Sequence, residues 1–453
     1  MTIDSTPSLS EVASEFGGTE PHSLSEYYGS AFSDNGYAPA SGTISLGNFQ
    51  NKTKYLWSFR QKIVASDAQA YDYFGIGVSL SRYGDYAIAG ASREDTGATD
   101  AGAAYIFKKS GSSWSQQAKI KASDRQLNDK FGKCTAICGT GDYAIIGAPD
   151  EDTGGTSAGA AYIFKRSGSS WSQQQKIQAS DKDEYNVFGS SVSMNRSGTI
   201  AAVGAFWAGT GDPGAGAVYI FTRSGSTWSQ QAKCEPSNPT SWDDFGGDVD
   251  ISGDGNYFIA GSYGEDTDGN TSGAAYIFKK SGSSWSQQEM LKASDVQAAD
   301  YFGMSVSIDY DGNTAAVGAP HEDTGATDSG AAYIYSRSGT TWTQQAKIQA
   351  SDRDANDYFG MTGVSLSDDG NTLIASARYD DEEGTDAGAA YIYSRSGTTW
   401  TQRLKFTASD AQSYDFFGQS AGISGDGKTV IVGAHWEDAE GTKAGAAYIH
   451  DLP

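Results

Sequence analysis

The sequence predicts an all-β protein, a seven-bladed β-propeller of four-stranded blades, because a long repeat coincides with a strand-forming composition. The dipeptide Phe-Gly recurs at intervals of 57 or 58 residues, at Phe74, Phe131, Phe188, Phe245, Phe302, Phe359 and Phe417. A tryptophan keeps the same period, at Trp57, Trp114, Trp171, Trp228, Trp285, Trp342 and Trp400. The 57 glycines, 26 tyrosines and only 9 prolines are typical of strands joined by tight turns. Seven copies of a four-stranded unit around one axis form a β-propeller.

Each repeat divides into four short strands, A to D, as the first copy illustrates. Residues 78–81 alternate apolar and polar side chains and lead into a Tyr-Gly-Asp turn, which predicts strand A and a tight hairpin. Strand B is predicted at 86–91 and strand C at 103–107, with an acidic loop at 94–100 between them. A Ser-Gly-Ser turn then leads to strand D at 114–120.

The two ends of the repeat array predict a closed ring. The last repeat stops after a third strand at residues 446–450, and residues 57–63 match the fourth strand at 114–120 without three strands before them. We expect this N-terminal strand to complete the C-terminal blade, because pairing them removes two open sheet edges. The propeller is therefore predicted to span residues 51–453.

Small-residue motifs recur in a fixed order after each Phe-Gly. In the second repeat, Phe131-Gly132 is followed by Gly147-Ala148-Pro149 and then by residues 159–164, Gly-Ala-Ala-Tyr-Ile-Phe. This order resembles the FG-GAP repeat of integrin α subunits and related proteins, over about residues 55–453. The resemblance implies a propeller fold and an adhesion or scaffolding role.

The same family often carries a calcium loop, Asp-x-Asp-x-Asp-Gly, in the A–B hairpin. The nearest approach in this sequence is Asp309 and Asp311, followed by Gly312. Carboxylate oxygens are ligands that calcium prefers, although Asp-Gly-Asn is also an ordinary turn sequence. Calcium at Asp309 and Asp311 is therefore a weak expectation, and the family's other calcium sites do not carry over.

Residues 1–50 differ from the repeats and predict a short docking segment. They contain the helix starts Ser8-Leu9-Ser10-Glu11 and Ser23-Leu24-Ser25-Glu26, and they hold too few large apolar side chains for a core of their own. The two helix starts, together with residues 15–18, residues 41–45 and Phe49, resemble an N-terminal module of structural proteins of marine tailed phages. The resemblance implies attachment to other virion proteins through residues 1–50. A disordered tail is the alternative.

Charge and composition exclude several classes of function. The net charge of −24 repels phosphate backbones and anionic lipid heads, so we expect no nucleic-acid binding and no membrane insertion. Neither a long apolar run nor a secretory signal is evident. The three cysteines, Cys134, Cys138 and Cys234, are expected to be unpaired, structural residues.

Catalytic chemistry is not predicted. The four histidines, His22, His321, His435 and His450, do not recur with the repeat and lack metal-binding spacings. Carboxylates recur in nearly every repeat, which indicates a surface property rather than one catalytic site. We expect a protein that is not an enzyme, with no certain cofactor.

The predicted strand order sorts the charges onto two faces. The B–C loops, which share one face with the loops that connect strand D to the next strand A, carry Glu94-Asp95, Glu151-Asp152, Glu265-Asp266, Glu322-Asp323, Asp381-Glu382 and Glu437-Asp438. The C–D hairpins of the opposite face are basic, as at Lys108 and Lys109. One interpretation is loop solubility copied by duplication. The other is an acidic, cation-friendly contact face.

Aromatic residues interrupt the acidic loops in three repeats. They are Phe206 and Trp207 in the third repeat, Trp242 before the fourth strand A, and His435 and Trp436 in the seventh. Aromatic side chains amid polar loops are typical of contact sites, including sugar stacking, although packing over a blade edge is the alternative.

Taken together, the two regions favour a virion structural protein, such as a tail fibre or capsid decoration. Residues 1–50 would attach it to the particle, and the propeller would bind a host-surface protein or polysaccharide. The expected location is the virion surface, after assembly in the host cytoplasm. A cellular adhesion or scaffolding protein of integrin α type is the alternative, and a propeller hydrolase is a third.

Overall fold

The computed structural model describes residues 58–209 and 213–451, which contain 28 β-strands and no helix. The A strands are β2 Phe74–Leu80, β6 Thr135–Ile137, β10 Ser191–Met194, β14 Val249–Ile251, β18 Val306–Ile308, β22 Ser365–Leu366 and β26 Phe417–Ile423. The B strands are β3 Tyr86–Ala91, β7 Tyr143–Ala148, β11 Ile200–Ala205, β15 Tyr257–Ser262, β19 Thr314–Ala319, β23 Thr372–Ala377 and β27 Thr429–Ala434. The C strands are β4 Ala103–Ser110, β8 Ala160–Ser167, β12 Ala217–Ser224, β16 Ala274–Ser281, β20 Ala331–Ser338, β24 Ala389–Ser396 and β28 Ala446–Asp451. The D strands are β5 Ser113–Ile120, β9 Ser170–Ile177, β13 Thr227–Cys234, β17 Ser284–Leu291, β21 Thr341–Ile348, β25 Thr399–Phe406 and β1 Ser58–Ile63.

These strands form seven four-stranded antiparallel sheets, each in the order A-B-C-D, which confirms the predicted propeller. Blades 1 to 6 are continuous in sequence, from β2–β5 to β22–β25. Blade 7 combines β26, β27 and β28 with β1 as its outer strand. The ring is therefore closed by an N-terminal strand, as predicted, although Trp57 and the docking segment at residues 1–50 lie outside the described residues.

The hydrophobic core lies between neighbouring blades. The phenylalanine of each Phe-Gly pair is fully buried, and in blade 1 the Phe74 ring packs edge-on against Tyr105 on strand C, with centroids 5.5 Å apart. The same cluster includes Ile431 and Ile449 of blade 7. Each phenylalanine therefore joins its own blade to the blade before it.

The glycines of the repeat allow blade backbones to touch. A Cβ atom at Gly90, in strand B of blade 1, would lie 1.9 Å from the carbonyl oxygen of Gly132 in blade 2. Gly132 itself has a φ of +94°, in the region that favours glycine. Both glycines are needed because a side chain at either position would push the two blades apart.

The A strands surround a central cavity of about 400 Å³. We call its two ends the loop face, where the B–C and D–A loops lie, and the hairpin face, where the A–B and C–D hairpins lie. At the hairpin face, seven backbone N–H groups donate to carbonyls of the neighbouring blade and complete a ring. The bonds are Asp426 to Arg82 (3.0 Å), Arg82 to Gly139 (3.1 Å), Gly139 to Arg196 (3.0 Å), Arg196 to Gly253 (3.1 Å), Asp254 to Tyr310 (3.0 Å), Tyr310 to Asp368 (3.1 Å) and Asp368 to Gly425 (2.9 Å).

An ion pair spans the axis at the same end of the cavity. Arg196 of blade 3 donates from Nε to Asp368 Oδ1 of blade 6 at 2.7 Å. Arg82 of blade 1 places its Nε 3.1 Å from the other carboxylate oxygen of Asp368. One carboxylate therefore ties three blades together.

The remaining structural predictions concern cysteines and membranes. Cys134, Cys138 and Cys234 are free, and Cys138 and Cys234 are buried, which agrees with the predicted structural role. Across residues 58–209 and 213–451, no helix has the length and apolar character needed to cross a bilayer.

Candidate functional site

Five B–C loops begin with a glutamate that is buried, not exposed, at Glu94, Glu151, Glu265, Glu322 and Glu437, whereas Glu382 of blade 6 is exposed. Glu94 is 1% exposed, and Lys119 Nζ of strand D donates to it at 2.6 Å and to Asp67 at 2.6 Å. The Tyr105 hydroxyl also donates to Asp67, at 2.9 Å. Equivalent pairs join Glu151 to Lys176, Glu265 to Lys292, Glu322 to Lys347 and Glu437 to Lys62.

These contacts correct the prediction that Glu94, Glu151, Glu265 and Glu322 present an acidic contact surface. Each glutamate neutralises a lysine of its own blade, and its oxygen also accepts the loop backbone, as in the 2.9 Å bond from Thr96 N to Glu94. A buried carboxylate in such a network holds the B–C loop in place. It is not available to a partner.

The aspartates beside these glutamates are exposed, but most of them accept hydrogen bonds from the backbone of their own loop. Asp95 accepts the backbone N–H of Asp100 at 2.8 Å, and Asp152 and Asp323 make the same 2.8 Å bond to Ser157 and Asp328. Asp266 is exposed in the equivalent loop. Loop formation copied by duplication therefore accounts for most of the recurrent acidic pairs.

A second set of aspartates is buried in the D–A loops. Asp72 accepts the backbone N–H of Gln69 at 2.8 Å, and burial raises the pKa of its carboxyl to about 6. Burial likewise raises the pKa of the matching carboxyls to about 6 or 7, at Asp129, Asp300, Asp357 and Asp415. The loop face therefore carries less accessible negative charge than its sequence suggests.

The loops that carry the aromatic residues of blades 3 and 4 adjoin on the loop face. Trp242 is 63% exposed and Trp207 44% exposed, and Trp207 packs edge-on against the half-buried Phe206 at 5.4 Å. Trp242 N donates to Pro213 O at 3.0 Å, which joins the D–A loop before blade 4 to the B–C loop of blade 3. The prediction that these loops adjoin is confirmed.

Trp242 belongs to a recurrent position, which the sequence analysis missed. The residue three places before Phe-Gly is an exposed aromatic in four repeats, at Tyr71, Tyr185, Trp242 and Tyr414. The backbone there has a positive φ, 71° at Tyr71 and 70° at Trp242. Four blades therefore present an outward aromatic side chain at equivalent places on the loop face.

A second series of aromatic rings runs along the loop face from blade to blade. Successive rings lie 4.7 to 6.5 Å apart from blade 4 to blade 1, through Tyr263, Tyr301, His321, Tyr358, Tyr379, Phe416, His435 and Tyr73. We call this series the aromatic arc. Its members come from the ends of B strands and from the residue before Phe-Gly in neighbouring blades.

His435 belongs to this arc and Trp436 packs beside it, with ring centroids 5.7 Å apart, which corrects their predicted role as exposed contact residues. His435 is buried, and burial together with the charges of Arg378 and Lys133 lowers its pKa to about 3. Trp436 is half-buried against Phe416, with centroids 4.7 Å apart. His435 is therefore a neutral packing residue rather than an exposed contact residue.

Two carboxylates line the cavity, Asp250 in β14 and Asp248 just before it, and the sequence analysis did not single them out. Asp250 accepts the Ser193 hydroxyl at 2.8 Å and the backbone N–H of Ile308 at 2.9 Å, so it links three blades. In other blades a serine at this place accepts the equivalent N–H, as Ser79 does from Ile137. Burial raises the pKa of Asp248 to about 7.

The weak calcium expectation does not fit the residues present. Asp309 is buried and accepts the backbone N–H of Asn313 at 2.7 Å, so its carboxylate forms the turn. Asp311 is exposed. Among the residues that the structure describes, no group of three or more acidic, histidine or cysteine side chains could hold a metal ion.

On the hairpin face, the basic residues pack against tyrosines. Lys108 lies over the Tyr86 ring at 5.5 Å, and Arg166 of the next blade lies over the same ring at 4.6 Å. Arg166 also pairs with Asp142 at 2.5 Å. Some of the basic residues predicted on this face therefore help to hold neighbouring blades together.

Comparison with known proteins identifies the repeat. The FG-GAP repeat family matches residues 57–107, 114–164, 171–221, 228–278, 285–335, 342–393 and 400–450. No curated protein matches the sequence significantly. Each matched unit runs from a strand D to the next strand C, so the sequence repeat straddles two blades. Because the seven units cover most of the chain, the protein belongs to the FG-GAP repeat family.

Proposed function

We propose that the protein is a non-enzymatic binding protein that uses the loop face of its propeller as the contact surface. The observation that carries this proposal is the set of exposed aromatic residues Tyr71, Tyr185, Trp242 and Tyr414 at one structural position. Large aromatic side chains dominate the binding energy of many interfaces. The FG-GAP fold is consistent with a binding or adhesion role.

The departures from the repeat make blades 3 and 4 the expected centre of this surface. A ring of equivalent loops offers similar contacts in every direction, whereas Trp207 and Trp242 create one distinctive area. Both are well exposed, and Trp242 packs close to Gly214 of the neighbouring loop. The partner in this proposal is a host-surface protein or polysaccharide.

We further propose that the propeller is displayed on a virion, as a tail fibre, capsid decoration or other exposed phage component. The support comes from residues 1–50, whose Ser-Leu-Ser-Glu starts resemble the N-terminal module of phage structural proteins. That segment lies outside the described residues. A cellular adhesion protein is the competing proposal, favoured by the FG-GAP repeat alone.

The contact surface is tested with paired variants of the full chain. Trp207→Ala and Trp242→Ala should each weaken binding to intact host cells by about 10-fold or more, while the melting temperature stays near that of the parent protein. The control replaces Lys108 and Lys109 on the hairpin face by Ala and should bind normally. Loss of binding in the lysine control alone would place the contact on the opposite face.

The virion assignment is tested separately. Mass spectrometry of purified phage particles should detect the propeller, and fluorescent protein fused to residues 1–50 should incorporate into the same particles. Full incorporation of a protein that lacks residues 1–50 would contradict the attachment role. Detection of the chain on host cells and never in particles would favour the cellular proposal.

A further inference from the structure

Positive charge collects at the loop-face mouth of the cavity, although the protein as a whole has a net charge of −24. The residues are Arg93, Lys133, Arg378 and Lys443, from blades 1, 2, 6 and 7. Lys133 lines the cavity itself. The charges of Arg378 and Arg93 reach Lys133, and all four cations act electrostatically on His435.

These four cations have no acidic partner in contact. Within residues 58–209 and 213–451, no carboxylate lies at ion-pair distance from any of them, whereas Lys119 has two such partners. Asp150 is close enough for its charge to be felt by Lys133, but it forms no ion pair with it. In so acidic a protein, unpaired cations gathered at one place require an explanation.

Aromatic rings hold three of these cations in position. Arg93 lies over the Tyr73 ring at 4.6 Å, Arg378 over Tyr379 at 4.7 Å and Lys443 over Trp436 at 3.2 Å. Arg378 also donates to the Tyr379 hydroxyl at 2.9 Å. Cation–π contacts fix the position of a charge without neutralising it.

The same place contains buried polar atoms without partners. Arg378 Nε, Trp436 Nε1 and His435 Nδ1 are all shielded from solvent and make no hydrogen bond in the described part of the chain. Leaving a buried N–H unsatisfied costs free energy, and such groups are rare in folded proteins. Two of the three atoms are obligate donors, so an acceptor is the missing partner.

We propose that the channel mouth binds an acidic saccharide, whose carboxylate is held by Arg378, Lys133 and Arg93 and whose sugar ring packs on the aromatic arc. Arg378 Nη1 and Nη2 already donate to Gln419 and Tyr379, so a carboxylate supplies the acceptor that Arg378 Nε and Trp436 Nε1 lack. Guanidinium groups bind carboxylates strongly. Aromatic faces suit the apolar faces of sugar rings. Nucleic acid is disfavoured because its long run of backbone phosphates would extend beyond the four cations over the strongly anionic remainder of the protein, whereas a short acidic saccharide reaches only the mouth.

This inference deepens the proposed binding function and depends on it, since it names the ligand class of the loop face. The site differs from the exposed aromatics around Trp242, because it lies at the axis and uses blades 6, 7, 1 and 2. The two can therefore be tested apart with the same protein.

The test titrates the full chain with trigalacturonate, with glucuronate and with the neutral trisaccharide cellotriose, by isothermal titration calorimetry. We expect saturable binding of trigalacturonate, at least 10-fold weaker binding of cellotriose, and weakening with salt. Lys133→Gln and Arg378→Gln should each reduce trigalacturonate affinity at least 10-fold. The matched control Lys108→Gln, on the hairpin face, should leave it unchanged.

Location is checked by fluorescence. Trigalacturonate should change the tryptophan emission of the parent protein, and Trp436→Phe should remove most of that change. Because Arg378 is partly buried, the melting temperature of each variant is measured, and Lys133→Gln serves as the exposed variant that retains the fold.

Three outcomes would overturn the inference. They are failure of both acidic sugars to bind at up to about 10 mM, equal affinity for cellotriose, or unchanged affinity in both Lys133→Gln and Arg378→Gln. If these occur while Trp242→Ala still abolishes binding to host cells, the acidic-saccharide site is wrong and the proposed binding function stands. If neither site binds anything, both are wrong.

Discussion

The two ends of the central cavity differ in how their charged side chains are paired. At the hairpin face, seven backbone hydrogen bonds close a ring, and Asp368 pairs with Arg196 and Arg82. At the loop face, Arg93, Lys133, Arg378 and Lys443 have no acidic partner at ion-pair distance within the described part of the chain, and buried donors such as Trp436 Nε1 make no hydrogen bond there.

The difference separates a structural end from a functional end of one symmetric scaffold. Folding tends to satisfy every buried polar group that serves stability, so an unsatisfied cluster indicates a role that stability does not explain. Variants that disturb the hairpin face should therefore alter stability without altering binding. Variants at the mouth of the loop face should do the opposite.

Opening the ring should have the largest effect, because it disturbs both ends at once. Deletion of residues 1–64 removes β1, the outer strand of blade 7, and exposes the edge of β28. Deletion of residues 1–50 leaves β1 in place and should preserve a folded, soluble propeller. Thermal denaturation of the two proteins checks this, and equal melting temperatures would contradict closure by β1.

Removing a buried loop glutamate should have the next largest effect. Glu94→Ala takes one partner from Lys119 and leaves the Thr96 N–H unsatisfied, so we expect a loss of about 2–3 kcal/mol in the free energy of unfolding. Urea denaturation measures it. The neighbouring Asp95→Ala, which loses one exposed hydrogen bond, should cost about 1 kcal/mol or less. Equal losses of unfolding free energy in the two variants would indicate that Glu94, like Asp95, is a surface charge.

Breaking the ion pair that spans the axis should lower the free energy of unfolding. Asp368→Ala leaves Arg196 and Arg82 without their shared carboxylate, and we expect a loss of about 2 kcal/mol with no change in ligand affinity. Asp311→Ala, on the exposed hairpin of blade 5, is the control and should stay within about 0.5 kcal/mol of the parent. A change in saccharide affinity in Asp368→Ala would show that the two ends are coupled.

Acidification should stabilise the loop face. Burial raises the pKa of Asp72 to about 6, so between about pH 4 and 6 the folded protein binds protons that the unfolded chain does not. The free energy of unfolding should therefore rise as the pH falls from 7 to 5, by about 1–1.5 kcal/mol for a carboxyl whose pKa is about 6. Below about pH 4 the trend should reverse. There, Asp67, whose pKa stays low because the hydrogen bonds of Lys119 and Tyr105 outweigh burial, loses its contribution.

Thermal melts at pH 7 and pH 5 check this prediction with two matched variants. Asp72→Asn should raise stability at pH 7 and flatten the rise toward pH 5, because it removes the buried charge and keeps an acceptor for Gln69. Asp67→Asn should lower stability at pH 7, because it weakens the Lys119 pair. A parent protein that loses stability steadily from pH 7 to 5 would contradict the assignment.

The fold could be predicted almost completely from the sequence because its determinants are periodic. Phe74 and Trp114 recur at the same places in each repeat, and the leftover strand at 58–63 matches the strand that blade 7 lacks. Strand boundaries do not follow from the repeat alone. Strand A of blade 1 begins at Phe74, four residues before its predicted start, because a shift of register lets Phe74 pair with Ala91.

The candidate site was predicted only in part because its residues converge from different repeats. The acidic pair Glu94-Asp95 predicts a surface position for Glu94, which is wrong. Lys119, its ion-pair partner, recurs with nearly the same period and could have indicated the buried pair. The exposed aromatics at Tyr71 and Trp242 were also visible three places before Phe-Gly, but other repeats have Asn or Ala there. Four members of the aromatic arc, Tyr73, Tyr301, Tyr358 and Phe416, were likewise visible directly before Phe-Gly. The cations had no such signal, because Arg93 and Arg378 belong to blades 1 and 6.

The outer strand of blade 7 has a consequence for biosynthesis. Ser58–Ile63 leaves the ribosome before any other described strand, and its partner β28 is made last, with nearly the whole propeller between them. At about 5–20 residues per second, β1 waits on the order of 20–80 s for that partner. During this time each new blade can pack only on the blade before it, so the ring is an open arc with two unpaired edges. Synthesis must therefore finish before the molecule has its final stability.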